Sequence, residues 1–237
     1  MHLSRYFIFL KDNIMSMYKH QSGFTLVELA IVLVIIGLLL GGVLKGQEMI
    51  ENGKIKNLEN DVKGVTAAYY AYRDRYNALP GDDTRALLRW PTAVTPNPAV
   101  IAGNGDGIVG TVDTWTACTS SAATTENCAF MHDLRLSGLI TGAANPIDPI
   151  NAYGGVIRVV QNATTTAGWG ALVGLNLCFG NLPSKAAEAI DASFDDGNPA
   201  TGNVRAVIGT GNLSPLTTAP TGGSYVDPNT YTVCKLL

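Results

Sequence analysis

The chain has 237 residues, a formal net charge of −3 and 15% charged residues. This length accommodates one long helix and one globular domain. The net charge is small and slightly negative, and the sequence has no basic stripe of the kind that marks nucleic-acid-binding proteins. We therefore predict no nucleic-acid partner.

The first notable feature along the chain is an apolar segment of membrane length. Residues 29–44 carry no charge, and residues 24–44 match the roughly 20 residues that a helix needs to span a bilayer. The basic residues that precede the segment are Arg5, Lys11, Lys19 and His20. By the positive-inside rule, the N-terminus stays cytoplasmic and the rest of the chain lies on the other side of the membrane.

Glu28 stands at the head of this segment, where an unpaired carboxylate costs on the order of 3 kcal/mol on membrane-insertion scales. A cation must therefore pair with it. Cleavage after Gly23 would create one, the α-amino group of Phe24, and a neighbouring copy of the chain would supply another. A plain transmembrane anchor, the alternative, explains the length of the segment but not Glu28. We interpret the segment as an assembly element.

The residues around Glu28 also resemble a known processing site. Residues 19–29 have the sequence KHQSGFTLVEL, which closely resembles the processing site of type IV prepilins and type II secretion pseudopilins. The resemblance implies that prepilin peptidase, an inner-membrane enzyme, cleaves between Gly23 and Phe24 and N-methylates Phe24. It also implies that Glu28 pairs with the N-terminus of an adjacent subunit during assembly.

In this interpretation, residues 1–23 form a leader peptide. Leaders of this family are commonly short and hydrophilic, whereas residues 7–10 are apolar. We therefore predict that translation starts at Met15 or Met17. A secretory signal peptide is disfavoured, because Glu28 would fall inside its apolar core and no small-residue cleavage site follows that core.

One helix is predicted over residues 24–77, with residues 24–44 as its transmembrane half. No proline occurs in this range, and beyond the membrane half apolar and aromatic residues recur at alternating steps of three and four. These residues are Ile55, Leu58, Val62, Val65, Tyr69, Tyr72 and Tyr76. We expect this stripe to pack on the sheet of the following domain, with the tyrosines in the core. A coiled-coil seam is the alternative.

Residues 78–237 are predicted to form a globular α+β domain that is periplasmic or extracellular. Turn-forming residues separate short strand patterns and two short helices. A long helix packed on an antiparallel sheet is the pilin-like architecture that the resemblance implies. The helices are predicted over residues 129–140 and 182–192, and the strands over residues 156–160, 171–179, 204–208 and 231–236. Pro183 is expected in the first turn of the second helix.

All the cysteines follow the membrane segment: Cys118, Cys128, Cys178 and Cys234. An even number on one side of a membrane predicts two disulfides in an oxidising compartment. Of the three pairings, we favour Cys118–Cys128, which closes a short loop, with Cys178–Cys234, which ties down the C-terminus. Four buried free thiols are the alternative.

One acidic cluster offers the oxygen ligands that calcium prefers. It consists of Asp191, Asp195, Asp196 and Asn198. Some pseudopilins bind calcium in a C-terminal loop, so the resemblance supports calcium as a ligand, and no other cofactor is predicted. The alternative is turn chemistry, because Asp and Asn cap helices and form turns without any ion.

The sequence shows no catalytic constellation, and we predict that the chain is not an enzyme. His132 is the only histidine after the cleavage site, and we expect it on the polar side of a short helix. No nucleophile turn of the G-x-S-x-G type occurs.

The sequence thus predicts a structural subunit, a minor pilin-like protein of a type IV pilus or of a type II secretion pseudopilus. Its predicted partners are other pilin or pseudopilin subunits, prepilin peptidase, the inner-membrane assembly platform and, before assembly, membrane lipid. It would cross the inner membrane once, with a periplasmic globular domain, and then enter the filament. The alternative is a membrane-tethered binding protein or enzyme that never polymerises.

Overall fold

The computed structural model describes residues 23–91, 100–111, 115, 117–120, 124–163, 172–209 and 223–237. Its helices and strands, in chain order, are α1 Leu26–Tyr76, α2 Ala86–Arg89, α3 Glu126–Leu136, β1 Ile157–Ala163, β2 Leu172–Pro183, α4 Ser184–Phe194, β3 Val204–Ile208 and β4 Thr230–Leu236. The chain divides into two compact units, and the division falls within α1, between Met49 and Ile50.

The second half of α1 is amphipathic and packs on the sheet through the predicted stripe. Its buried members are Ile55, Leu58, Val62, Val65, Tyr69 and Tyr72. All of these except Ile55 share one core with residues from all four strands, including Val159, Leu177 and Val233. Tyr76 is partly buried against the same core. The predicted placement of the tyrosines in the core is confirmed.

The four strands form one antiparallel sheet in the order β1-β2-β4-β3. Alternate residues of a strand face opposite sides of a sheet, and here each side has its own core. Val159 and Leu177 belong to the main core beneath α1, whereas Val160 and Cys178 belong to a smaller cluster that Trp115 helps to cover. The predicted α+β class is therefore confirmed, with a long N-terminal helix packed on an antiparallel sheet.

The two disulfides are the pairs that the sequence analysis favoured. Cys178 and Cys234 lie opposite each other in β2 and β4, with a Cα–Cα distance of 4.0 Å. Cys118 and Cys128 join the segment before α3 to that helix, with a Cα–Cα distance of 5.4 Å. In a chain-entropy estimate, the longer loop contributes about 4 kcal/mol to stability and the shorter loop about 3 kcal/mol.

His132 is fully buried in α3, so the prediction that it lies on a polar helix side is wrong. Every residue from Asn127 to Leu134 is buried, so other segments of the domain cover the face of α3 that a helical wheel leaves polar. His132 interacts with the backbone of Ala144, in the segment that follows α3. The Cys118–Cys128 disulfide and the bonds from the N–H groups of Asn104 and Gly110 to Glu126 attach the preceding loop to the start of the helix. Burial lowers the pKa of His132 and favours its neutral form.

The remaining differences concern short helices. The helix α3 spans Glu126–Leu136, whereas the sequence predicted residues 129–140. Pro183 ends β2 and occupies the N-cap position of α4, not its first turn, and α4 continues to Phe194. The four-residue helix α2 has no counterpart in the sequence analysis. It forms because Arg89 reaches back to pair with Asp83 and to donate to the carbonyl of Tyr76.

A polar network fixes the end of α1 to the rest of the domain. The Tyr72 hydroxyl donates to Asp83 Oδ2 at 2.8 Å, and the Gly81 N–H donates to Asp133 Oδ2 at 2.7 Å. Gly81 has a φ of +89°, and a Cβ there would stand 2.6 Å from the carbonyl oxygen of Glu126. Only glycine fits this turn, because it combines a left-handed conformation with a close backbone approach.

Asp133 makes the stability of this network depend on pH. Burial raises the pKa of Asp133 to about 7 from an ordinary value of 3.8, while the Gly81 N–H and Arg89 act in the opposite direction. The folded chain therefore keeps a proton that the unfolded chain releases at lower pH, so stability falls as the pH rises from about 4 to about 7.

We predict that Asp133→Asn raises the free energy of unfolding at pH 8 by on the order of 2–4 kcal/mol and leaves it nearly unchanged at pH 4. The amide keeps an acceptor for Gly81 without a buried charge. Urea unfolding of the full chain in detergent at both pH values measures the effect, with the exposed Asp74→Asn as the matched control. An equal change at both pH values would contradict the assignment.

Candidate functional site

The first half of α1 presents apolar side chains in every direction. All residues from 23 to 45 are exposed, among them Phe24 at 78% and Leu26 at 86%. By length and composition, this helix is able to cross a membrane. An apolar surface of this extent indicates contact with lipid or with other protein chains.

A reciprocal pair of hydrogen bonds marks the start of α1. Thr25 precedes the first helical residue, Leu26, and its carbonyl accepts the N–H of Leu29. The Glu28 N–H donates to Thr25 Oγ1 at 3.2 Å, while the Thr25 N–H and hydroxyl both donate to Glu28 Oε2 at 3.2 Å. This is a capping box, in which Thr and Glu three residues apart satisfy each other's backbone donors.

The capping box changes how Glu28 is understood. The sequence argument looked for a cation as its partner, whereas the structure gives it Thr25. Hydrogen bonds orient the carboxylate but do not neutralise its charge, and the described residues place no cation on it and no partner on Oε1. The pattern Thr25-x-x-Glu28 is the sequence signature of a capping box and would have revealed this role.

The predicted cleavage site lies just outside the helix. Residues 23–25 are exposed and not helical, and among the described residues no atom lies within 4 Å of the position that a Cβ of residue 23 would take. The bond between Gly23 and Phe24 is thus free of secondary structure, as the active site of a peptidase requires. The leader residues before 23, with the candidate starts Met15 and Met17, lie outside the described residues.

The structure brings the three aspartates of the acidic cluster together at the C-terminal end of α4, where Asp191 lies in the last turns of the helix and Asp195 and Asp196 follow it. One carboxylate oxygen from each of Asp191, Asp195 and Asp196 lies within 4.8 Å of the others. Asp191 is fully buried and accepts the Tyr225 hydroxyl at 2.6 Å. Burial, with help from the charges of Asp196 and Asp195, raises the pKa of Asp191 to about 6.

Each of these carboxylates also has a role in the turn. Asp195 Oδ2 accepts the N–H groups of Asn203 and Val204, and Asp196 accepts the N–H of Asn198. Asn198 is in the same turn but uses its side-chain oxygen for the N–H of Ala200. Turn chemistry thus accounts for these contacts. The oxygen donors and the mutual repulsion of the three carboxylates also fit a hard divalent cation, so calcium binding here stays a prediction.

We predict that 10 mM calcium raises the melting temperature of the full chain by a few degrees, because binding to the folded state alone adds about 1–3 kcal/mol at 10–100 times the dissociation constant. Asp196→Asn should abolish the shift while keeping the acceptor for Asn198. Magnesium and the distant Asp74→Asn are the controls. Equal melting curves in calcium and in EDTA would contradict calcium binding, and the three aspartates would then serve only to stabilise the turn.

Comparison with known proteins agrees with the N-terminal geometry. The family described as the prokaryotic N-terminal methylation motif matches residues 18–44. No curated protein matches the chain. Among solved structures, the chain is similar to the major type IV pilin PilA1 from Clostridium difficile, with 15% identity, a TM-score of 0.35 and coverage of 79% of this chain and 97% of that chain. This chain therefore carries the prokaryotic N-terminal methylation motif, and Gly23, Phe24 and Glu28 lie within it.

Proposed function

We propose that the chain is a structural subunit of a filament built from prepilin-like proteins, processed between Gly23 and Phe24 and N-methylated at Phe24. One observation carries the proposal: the methylation motif leads directly into a helix whose first half is apolar and exposed all round. A soluble domain of this size has no core of its own to cover such a surface.

The helix serves two environments in this proposal. Its backbone donors and acceptors are satisfied within the helix, so the apolar half is stable in lipid. After assembly, the same half packs against the equivalent helices of other copies. The amphipathic half stays on its own domain, because its stripe is already buried there. The helix thus joins a self-contained domain to a shared filament core.

Glu28 sets which copies fit together. Thr25 holds Oε2 through its N–H and hydroxyl, which directs the carboxylate and leaves Oε1 for an outside partner. The α-amino group of a processed neighbour supplies a cation of opposite charge. In a low-dielectric surrounding the pair is stable only when both charges meet, so one axial position of the neighbour is favoured over others.

Within this class, we favour a minor subunit of a type IV pilus or of a type II secretion pseudopilus, since the domain after the helix is large for a subunit packed in many copies. Prepilin peptidase and an inner-membrane assembly platform are the partners of such a chain. The two disulfides support a periplasmic location of the domain, because disulfides persist in oxidising compartments. The buried His132 supports a non-enzymatic role.

Substitutions of Glu28 separate a filament subunit from a membrane tether. Glu28→Gln keeps the capping box, which accepts Gln as well as Glu, but removes the charge. We predict normal cleavage and membrane insertion, with at least a tenfold loss of incorporation into multimers that copurify with the assembly machinery. Mass spectrometry of the mature N-terminus and crosslinking in cells measure these steps.

Thr25→Ala is the matched variant, because it keeps the charge of Glu28 but removes the group that orients it. We expect a smaller loss of incorporation than for Glu28→Gln, since the carboxylate remains able to find the amine. Incorporation of Glu28→Gln at the wild-type level would contradict charge pairing and favour the tether. A mature N-terminus upstream of Phe24 would contradict the proposal as a whole.

A further inference from the structure

A groove of about 410 Å³, lined by both apolar and polar side chains, lies between α1 and the segment that follows α3. Its lining includes the buried side chains of Val65, Met131 and Ile157, together with Ile150, which is 70% exposed. Gly64 opens the groove on the α1 side, since no atom of a described residue lies within 4 Å of the position that a Cβ would take there. Because Val65, Met131 and Ile157 are at most 7% exposed, Ile150 and the partly buried Leu139 and Ile140 supply the apolar surface that the groove exposes.

The carboxylate of Asp61 also lines this groove and has no cation of its own. No hydrogen bond or ion pair joins it to another described residue, and burial raises its pKa with no opposing charge. Arg135 lines the same groove, but its guanidinium donates to the carbonyls of Asn145 and Ile147 and forms no ion pair with Asp61. Lys56 and Lys63 pair with Glu59. The groove therefore offers exposed apolar side chains together with a carboxylate that forms no ion pair with a described residue.

A second surface of the same domain has the complementary composition. Leu87 and Leu88 of α2 are 44% and 80% exposed, because Ala86 takes the buried side of that short helix. Arg85 precedes them, is exposed, and directs its guanidinium to no partner within the part of the chain that the structure describes. The surface formed by residues 85–88 thus offers exposed leucines beside an unpaired positive charge.

We propose that the groove of one copy of this chain receives the 85–88 surface of a second copy, with Leu87 and Leu88 against the apolar lining and Arg85 paired with Asp61. This inference rests on the proposed function, in which copies assemble side by side. The contact joins two different surfaces, so it is heterologous and repeats from copy to copy without closing. A filament requires this kind of contact.

Cysteine crosslinking between two differently tagged full-length copies in the same cells tests the contact. One copy carries Gly64→Cys and the other Leu88→Cys, while the native cysteines are held in disulfides. We expect a disulfide that joins the two tags. Lys185→Cys, exposed on α4, replaces Leu88→Cys in the control pair and should give only background.

Charge exchange then identifies Asp61 and Arg85 as the pair. Added to the cysteine copies, Asp61→Arg or Arg85→Asp alone should lower the crosslink yield at least fivefold. Together, with Asp61→Arg in the Gly64→Cys copy and Arg85→Asp in the Leu88→Cys copy, they should restore most of it. A purely structural role of either residue would give no such rescue, and a yield indifferent to all three combinations would overturn the pairing.

A third pair of copies, each with Leu39→Cys in the apolar half of α1, separates this inference from the proposed function. If these copies crosslink and the groove pair does not, the filament proposal stands and the groove contact is wrong. If neither pair crosslinks, both are wrong. A Gly64→Cys copy that crosslinks to a different protein in place of the tagged second copy would also overturn the inference.

Discussion

One constraint governs the rest of this molecule: a single helix of 51 residues must be stable in two different surroundings. The backbone hydrogen bonds of the helix are made within the helix along its whole length, so they are the same in both surroundings. Only the side chains differ between its two halves. Up to residue 44 the side chains are apolar on all sides and exposed, and from Ile55 onward a narrow stripe is buried in the domain. The exposed apolar half therefore needs lipid or other chains to cover it.

The domain that anchors the helix is rich in loops, and buried or half-buried carboxylates hold those loops in place. Asp82 accepts the N–H groups of Gly105 and Gly107, and Glu126 accepts those of Asn104 and Gly110. Charged acceptors make stronger hydrogen bonds than neutral ones, which compensates for the missing strand partners of these loops. The acidic cluster at the end of α4 follows the same rule, because its carboxylates accept backbone N–H groups of the following turn.

Local patterns in the sequence predicted the features that depend on local spacing. The steps of three and four along α1 located its buried stripe, and the cysteine positions favoured the observed pairs. The burial of His132 was missed, because segments outside α3, including the one at Ala144, pack against that helix. Asp61 looked like an ordinary residue on the polar side of a helix, and only the tertiary structure shows that no described residue forms an ion pair with it. The capping box of Thr25 and Glu28, by contrast, could have been predicted from the sequence, but the sequence analysis considered only a cation as the partner of Glu28.

The two proposed contacts between copies are each too small to hold an assembly alone. A contact made by two leucines and one arginine buries far less than the roughly 1,200 Å² of a stable interface. The ion pair of Glu28 with a neighbour's α-amino group is strong only in low-dielectric surroundings. Joined in one chain, the first contact raises the effective concentration for the second, so their combined affinity exceeds either one without additional contacts. In the proposed filament, a copy that is out of register with its neighbours satisfies neither charge, so the two contacts together select one axial position.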